Sequence, residues 1–188
     1  MVRGCPPGIG YYLDMMHKLK GEFLEGLILF LILLFLALGT YERNEVWNSE
    51  VELWKDCAKK SPRKWRTHHN LGFAYTKTGQ WDEAKEEFEE TLRLNPLYAN
   101  SMYNLGLVYY TKGLIDEAID CYKKAIALDS TSADSFYNLG LAYYQKGLYQ
   151  DAISVYQKVL EIESDYKNAY NNIGLSYGGL KVWDKAIQ

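Results

Sequence analysis

Apolar and polar positions divide this chain into two regimes. Residues 27–38 read Leu-Ile-Leu-Phe-Leu-Ile-Leu-Leu-Phe-Leu-Ala-Leu, an unbroken apolar run. Between Phe23 and Gly39 the single charge is Glu25. A buried helix of a soluble protein keeps a polar face, and this stretch has none. A bilayer-spanning helix needs about 20 mostly apolar residues, so residues 23–41 predict a transmembrane or signal-anchor helix. Beyond Thr40 the pattern turns periodic. Leu71-Gly72, Leu105-Gly106, Leu139-Gly140 and Ile173-Gly174 recur every 34 residues. That register defines three full units, 65–98, 99–132 and 133–166, and a partial one, 167–188.

Each unit predicts two helices and a turn. In the second unit Met102, Leu105, Val108 and Tyr109 share one helix face. Gly113 then stops that helix, as Gly79 and Gly147 do in their units, because glycine accepts the left-handed conformation. Asp116 is expected as the next N-cap, ahead of a stripe of Ala118, Ile119, Tyr122 and Ile126. Ala84, Ala118, Ala152 and Ala186 are small where the paired helices must approach. Gly72, Gly106, Gly140 and Gly174 lie inside first helices, where glycine costs up to about 1 kcal/mol relative to alanine. Four in register imply a neighbour that a Cβ would block.

The 34-residue period, the Leu-Gly pair, the aromatic three residues later (Tyr75, Tyr109, Tyr143, Tyr177), the alanine of the second helix and Pro96 resemble tetratricopeptide repeats. That resemblance implies an all-α solenoid, a right-handed superhelix of helical hairpins. Departures are mild: Ser130 and Ser164 replace the closing proline, and His68 and Met102 replace the bulky first aromatic. Residues 42–64 carry Trp54, Cys57, Ala58 and Pro62 at the spacing of a second repeat helix, so this linker reads as a half-repeat. Its run of Thr40, Arg43, Asn44, Trp47, Leu53, Trp54, Ser61, Pro62, Asn70, Leu71 and Gly72 resembles the membrane-to-repeat junction of tetratricopeptide-bearing O-mannosyltransferases. In that family the catalytic acids lie far upstream, so the resemblance carries no activity to these residues.

The flanks of the apolar run orient it. His17, Lys18 and Lys20, with Arg3 further back, precede it; Glu42, Arg43 and Glu45 come after it. The positive-inside tendency puts the N-terminus in the cytoplasm and the repeats outside. Two other readings stay open. Ala37-Leu38-Gly39 serves as a cleavage site if translation starts at Met15 or Met16, which gives a soluble exported protein. The run can also be the last of several spans, with the chain a fragment of a longer protein. Residues 1–22 receive no assignment.

Composition narrows function by exclusion. With 21 Lys and Arg against 24 Asp and Glu, the net charge is −3, and a basic nucleic-acid binder is not expected. Cys5, Cys57 and Cys121 are too scattered for a disulfide scaffold, and Cys57 and Cys121 fall on helix stripes as small core residues. No nucleophile elbow, phosphate loop or zinc-protease motif occurs, so no enzyme activity, cofactor or metal is expected of this chain. His68 and His69 are adjacent, about 100° apart on a helix, which suits one packed and one exposed ring better than a metal site. The acidic run from Asp82 to Glu90 reads as a solvated face.

Binding candidates lie on the first helices, which line the inner side of a curved helical-hairpin stack. Asn70, Asn104, Asn138 and Asn172 precede every Leu-Gly or Ile-Gly pair. Their amides suit a peptide backbone, and the row resembles the asparagine ladder of the O-GlcNAc transferase repeats. The competing role is bonding between repeats. Tyr103 with Tyr110, and Tyr137 with Tyr144, share faces seven residues apart, and Phe73 joins them. Tyr109 and Tyr143 are expected between repeats instead. Phe73, Leu107, Leu141 and Leu175 stand where carboxylate-clamp repeats carry Lys or Asn, which argues against acidic C-terminal peptides held in that manner. The expected function is an interaction module binding an extended peptide. A glycosyltransferase fragment whose repeats recruit the acceptor protein, and a self-association scaffold, are the alternatives. Because Gln188 falls inside the fourth unit's second helix, residues 167–188 are expected to fray.

Overall fold

The computed structural model describes residues 9–47 and 49–181, and the side chains of residues 18, 23–41 and 49–181. Residues 1–8 and 182–188 lie outside the described residues, and with them Arg3, Cys5, Ala186 and the end of the fourth unit. So do the side chains of His17, Lys20, Arg43, Asn44 and Trp47, on which the orientation and junction readings rest. The chain divides into two compact units, residues 1–49 and 50–188.

The first unit contains α1, Ile9–Trp47, a single helix that runs through the apolar stretch into the linker. Phe23–Tyr41 is long and apolar enough to cross a membrane. Its large apolar side chains are all exposed, from 42% at Leu27 to 76% at Phe35.

The second unit is built of α2 (Glu50–Lys60), α3 (Trp65–Lys77), α4 (Trp81–Leu94), α5 (Ala99–Thr111), α6 (Ile115–Leu128), α7 (Ala133–Gln145), α8 (Tyr149–Ile162) and α9 (Lys167–Gly179). The hairpins are α3/α4, α5/α6 and α7/α8, in the register of the 34-residue period. Helix α2 packs on α3 as a second helix would, burying Val51 and Ala58. Every helix of this unit packs on its chain neighbours within it, and α3 also touches α5, as α5 touches α7. The second helices make no comparable approach to one another. First helices therefore lie on the inner side of the stack.

The glycine register has a direct physical cause. A Cβ on Gly72 would meet the Phe88 ring at 2.9 Å, one on Gly106 the Tyr122 ring at 2.7 Å, and one on Gly140 the Tyr156 ring at 2.4 Å. Phe88, Tyr122 and Tyr156 are wholly buried. Burying the Phe88 ring stabilises by about 1.5–3 kcal/mol, enough to outweigh the cost of a helical glycine. Gly113 adopts φ 77° at the turn between α5 and α6, with Gly79 and Gly147 alike. Tyr109 packs against both the first and second core clusters, and Tyr143 against the second and third, so these aromatics join successive repeats.

The N-cap expectation for Asp116 is corrected. Helix α6 begins at Ile115, and the Leu114 carbonyl accepts the first helical bond from Ala118 N–H at 3.1 Å. The left-handed Gly113 turns the chain directly into the helix, so the entry falls before the aspartate. Asp116 sits in the first turn and pairs with Lys146 of the next repeat, as Asp82 pairs with Lys112. Charges of that sign suit a helix start in either position.

Candidate functional site

The inner face holds a cleft of about 430 Å³, lined by residues from α3, α5, the α6–α7 turn and the start of α7. Asn70 and Phe73 come from α3, Asn100, Tyr103 and Asn104 from α5, and Asp129, Ser132, Asp134 and Ser135 from the third wall. His69 and Ala99 complete the lining. Phe73 is 44% exposed, with Lys77 Nζ 4.8 Å from its ring centre. The volume lies within the range of small-molecule and peptide-side-chain sites.

The four asparagines divide into two pairs. Asn138 Nδ2 donates to the Tyr103 hydroxyl at 3.1 Å and to the Asp134 carbonyl at 2.9 Å. Asn172 Nδ2 donates to the Tyr137 hydroxyl at 3.1 Å. These two amides clasp one repeat to the next. At the equivalent junction before Asn104 the preceding repeat offers His69, whose Nδ1 bonds Ser101 Oγ at 2.8 Å instead. Asn70 and Asn104 line the cleft.

The aromatic candidates divide similarly. Tyr103 lines the cleft and packs its ring 6.0 Å from Tyr122. Tyr137 packs between Tyr156, at 5.8 Å, and Tyr166, at 5.1 Å. Tyr110 and Tyr144 are half-buried against the second and third core clusters, and Tyr144 sets its ring edge-on to Tyr149. Of the nine candidates, the structure brings Asn70, Phe73, Tyr103 and Asn104 together around one cleft. The sequence reading missed Asp129, Asp134, Ser132 and His69. Asp129 and Ser132 belong to the turn before α7, which the helix-face pattern does not register.

Neither histidine is the exposed ring expected of the pair. His68 bonds Glu87 at 2.6 Å and the Pro62 carbonyl at 3.0 Å. His69 is half-buried, its ring 4.9 Å from Tyr98 and 5.7 Å from Phe88. Burial holds the His69 pKa below its ordinary value, which keeps the ring neutral. The hydroxyl and backbone N–H of Thr131 hold the Asp129 carboxyl below the usual carboxylate range. Cys121 is buried, and burial pushes its thiol up to about 11.

A stack of helical hairpins with a lined inner face defines a helical-repeat interaction scaffold. Models described as "TPR repeat" match residues 72–113 and 112–147, and one described as "Tetratricopeptide repeat" matches residues 133–166. A crystal structure of MamA is 32% identical, with a TM-score of 0.70 over 73% of this chain and 80% of that one. YrrB, described as a TPR protein with an unusual peptide-binding site, is 21% identical, with a TM-score of 0.64 over 78% and 79%. The first TPR of Spaghetti, bound to an HSP90 peptide, is 22% identical, with a TM-score of 0.61 over 63% and 94%. No curated protein matches. The chain belongs to the tetratricopeptide repeat family and is an interaction module of that kind. Such repeats are typically non-catalytic scaffolds.

Proposed function

We propose that this protein is a membrane-anchored adaptor that holds an extended polypeptide segment along α3, α5 and α7. The observation that carries this reading is the split of the asparagine row. Asn70 and Asn104 line the cleft together with Phe73 and Tyr103, while Asn138 and Asn172 are spent on clasps. An amide offers a donor and an acceptor to a backbone that has no helix or sheet partners of its own. Peptide binding by the repeats of YrrB and Spaghetti is consistent with it.

The anchor is residues 23–41. An exposed run of leucine, isoleucine and phenylalanine on every side of a helix is stable in hydrocarbon and not in water. Lys18 and Lys20 ahead of it favour a cytoplasmic N-terminus and extracytoplasmic repeats. An alkali wash of native membranes tests the anchor: retention supports it, and release of a shortened chain supports signal cleavage. A glycosyltransferase fragment is carried by the junction sequence alone and requires a much larger native protein on the same immunoblot. Self-association requires a mass that rises with concentration in sedimentation.

For the groove, the full chain in detergent micelles is panned with a random peptide library. Enriched peptides should lose about tenfold in affinity to Asn70→Ala or Asn104→Ala, with helicity unchanged. No enrichment, or binding by both variants unchanged from the parent protein, overturns the groove reading.

A further inference from the structure

The charge of the cleft is of one sign. Among its lining residues Asp129 and Asp134 are acidic, and no lysine or arginine is present. His69, the one imidazole in the lining, is half-buried against Tyr98 and Phe88. Asp129 is half-buried and Asp134 exposed, and each carboxylate is oriented by hydrogen bonds. Asp129 Oδ1 accepts from the Thr131 backbone at 3.0 Å and from its hydroxyl at 2.7 Å, which closes the turn ahead of α7. Asp134 Oδ1 accepts from the Tyr166 hydroxyl at 3.2 Å. The rings of Tyr103 and Phe73 and the amides of Asn70, Asn100 and Asn104 share the lining with them.

We infer that the cleft takes a lysine or arginine side chain of the bound peptide, its cation between Asp129 and Asp134 and its stem along Tyr103. This rests on the peptide-groove reading and specifies the residue class that it selects. Three arguments favour a basic side chain over an acidic or apolar one. An acidic ligand would bring like charge beside two carboxylates with no cation in the lining to offset it, which disfavours binding. An apolar side chain would strip water from both carboxylates and from the amides without replacing those bonds. A lysine or arginine does neither: its methylenes cover ring surface and its head donates to carboxylate oxygens. The tyrosine face also attracts a cation. The neutral His69 leaves the negative sign intact at physiological pH.

The test uses peptides enriched from the random library on the full chain in detergent micelles. Expected is a lysine or arginine at one constant position, and an affinity loss of about tenfold when it becomes norleucine. Asp129→Asn and Asp134→Asn keep an acceptor oxygen for Thr131 and Tyr166, so the fold is retained, and circular dichroism checks it. Combined, they should abolish the preference for lysine over norleucine. Enriched peptides without a basic position, or a preference that survives in the double variant, overturn the inference and leave the groove reading standing. Failure to enrich any peptide overturns both.

Discussion

The first and second repeats solve one packing problem with different side chains. In the first, the ring over the helical glycine is Phe88; in the second it is Tyr122, and in the third Tyr156. In the first, the inner-face ring at the junction is His69, bonded to Ser101; in the second it is Tyr103, bonded to Asn138. The backbone plan is shared, so the difference isolates what polar groups do inside a fixed scaffold. The second and third repeats use theirs to tie themselves to the next unit of the stack. The first repeat ties itself through His69 to Ser101 instead of to an asparagine, so Asn70 and Asn104 remain available to a ligand.

The largest effect expected is steric and should grade along the chain. Gly140→Ala sets a Cβ 2.4 Å from the buried Tyr156 ring, whereas Gly72→Ala meets Phe88 at 2.9 Å. Overpacking of a filled core costs about 1–3 kcal/mol, and the better helix propensity of alanine returns up to about 1. Thermal unfolding of the full chain should show Gly140→Ala lowering Tm clearly and Gly72→Ala much less. Equal shifts would mean that the two glycine sites are equally tolerant.

A smaller effect concerns the hydroxyl that distinguishes the rings. Tyr122 is wholly buried, and its OH has no hydrogen-bond partner among the described residues. An orphaned buried polar group costs about 1–3 kcal/mol. Tyr122→Phe should therefore stabilise, and Phe88→Tyr should destabilise the first repeat. A loss on Tyr122→Phe would show that an ordered water satisfies that hydroxyl. Smaller still is the clasp. Asn138→Ala should lower stability by about 1 kcal/mol, and Asn104→Ala should leave it unchanged while weakening peptide binding.

Much of this architecture is legible in the sequence, because a 34-residue period repeats the same geometric demand. The glycines, the joining tyrosines and the turn positions emerge from registering one unit on the next. The division of the asparagines does not, since all four stand before the same kind of dipeptide. The discriminating signal lies 35 residues earlier: tyrosine precedes Asn138 and Asn172 at that distance, and histidine precedes Asn104. A search within one unit cannot see a bond made between two. The cleft carboxylates escape for a related reason. Asp129 belongs to a turn that helix periodicity ignores, and it shares the cleft with residues of α3 and α5.

The least of the expected effects tests whether the first repeat is also the pH-sensitive one. His69 occupies the place of Tyr103 and Tyr137, and burial depresses its pKa below the ordinary 6.5. The unfolded chain then binds a proton near pH 6.5 that the folded chain does not accept until lower pH. Stability from this site is complete above pH 6.5 and falls as pH drops from there through the folded pKa. Below both values the penalty is constant. Denaturant unfolding between pH 7.5 and 5 should show a modest decline that is flattened in His69→Asn. The ring's own NMR titration should fall below 6.5. A titration above 6.5 would mean that Asp129 and Asp134, which share the cleft, outweigh burial and hold the ring charged. The cleft would then no longer be of one sign, and its preference for a basic side chain would weaken as pH falls.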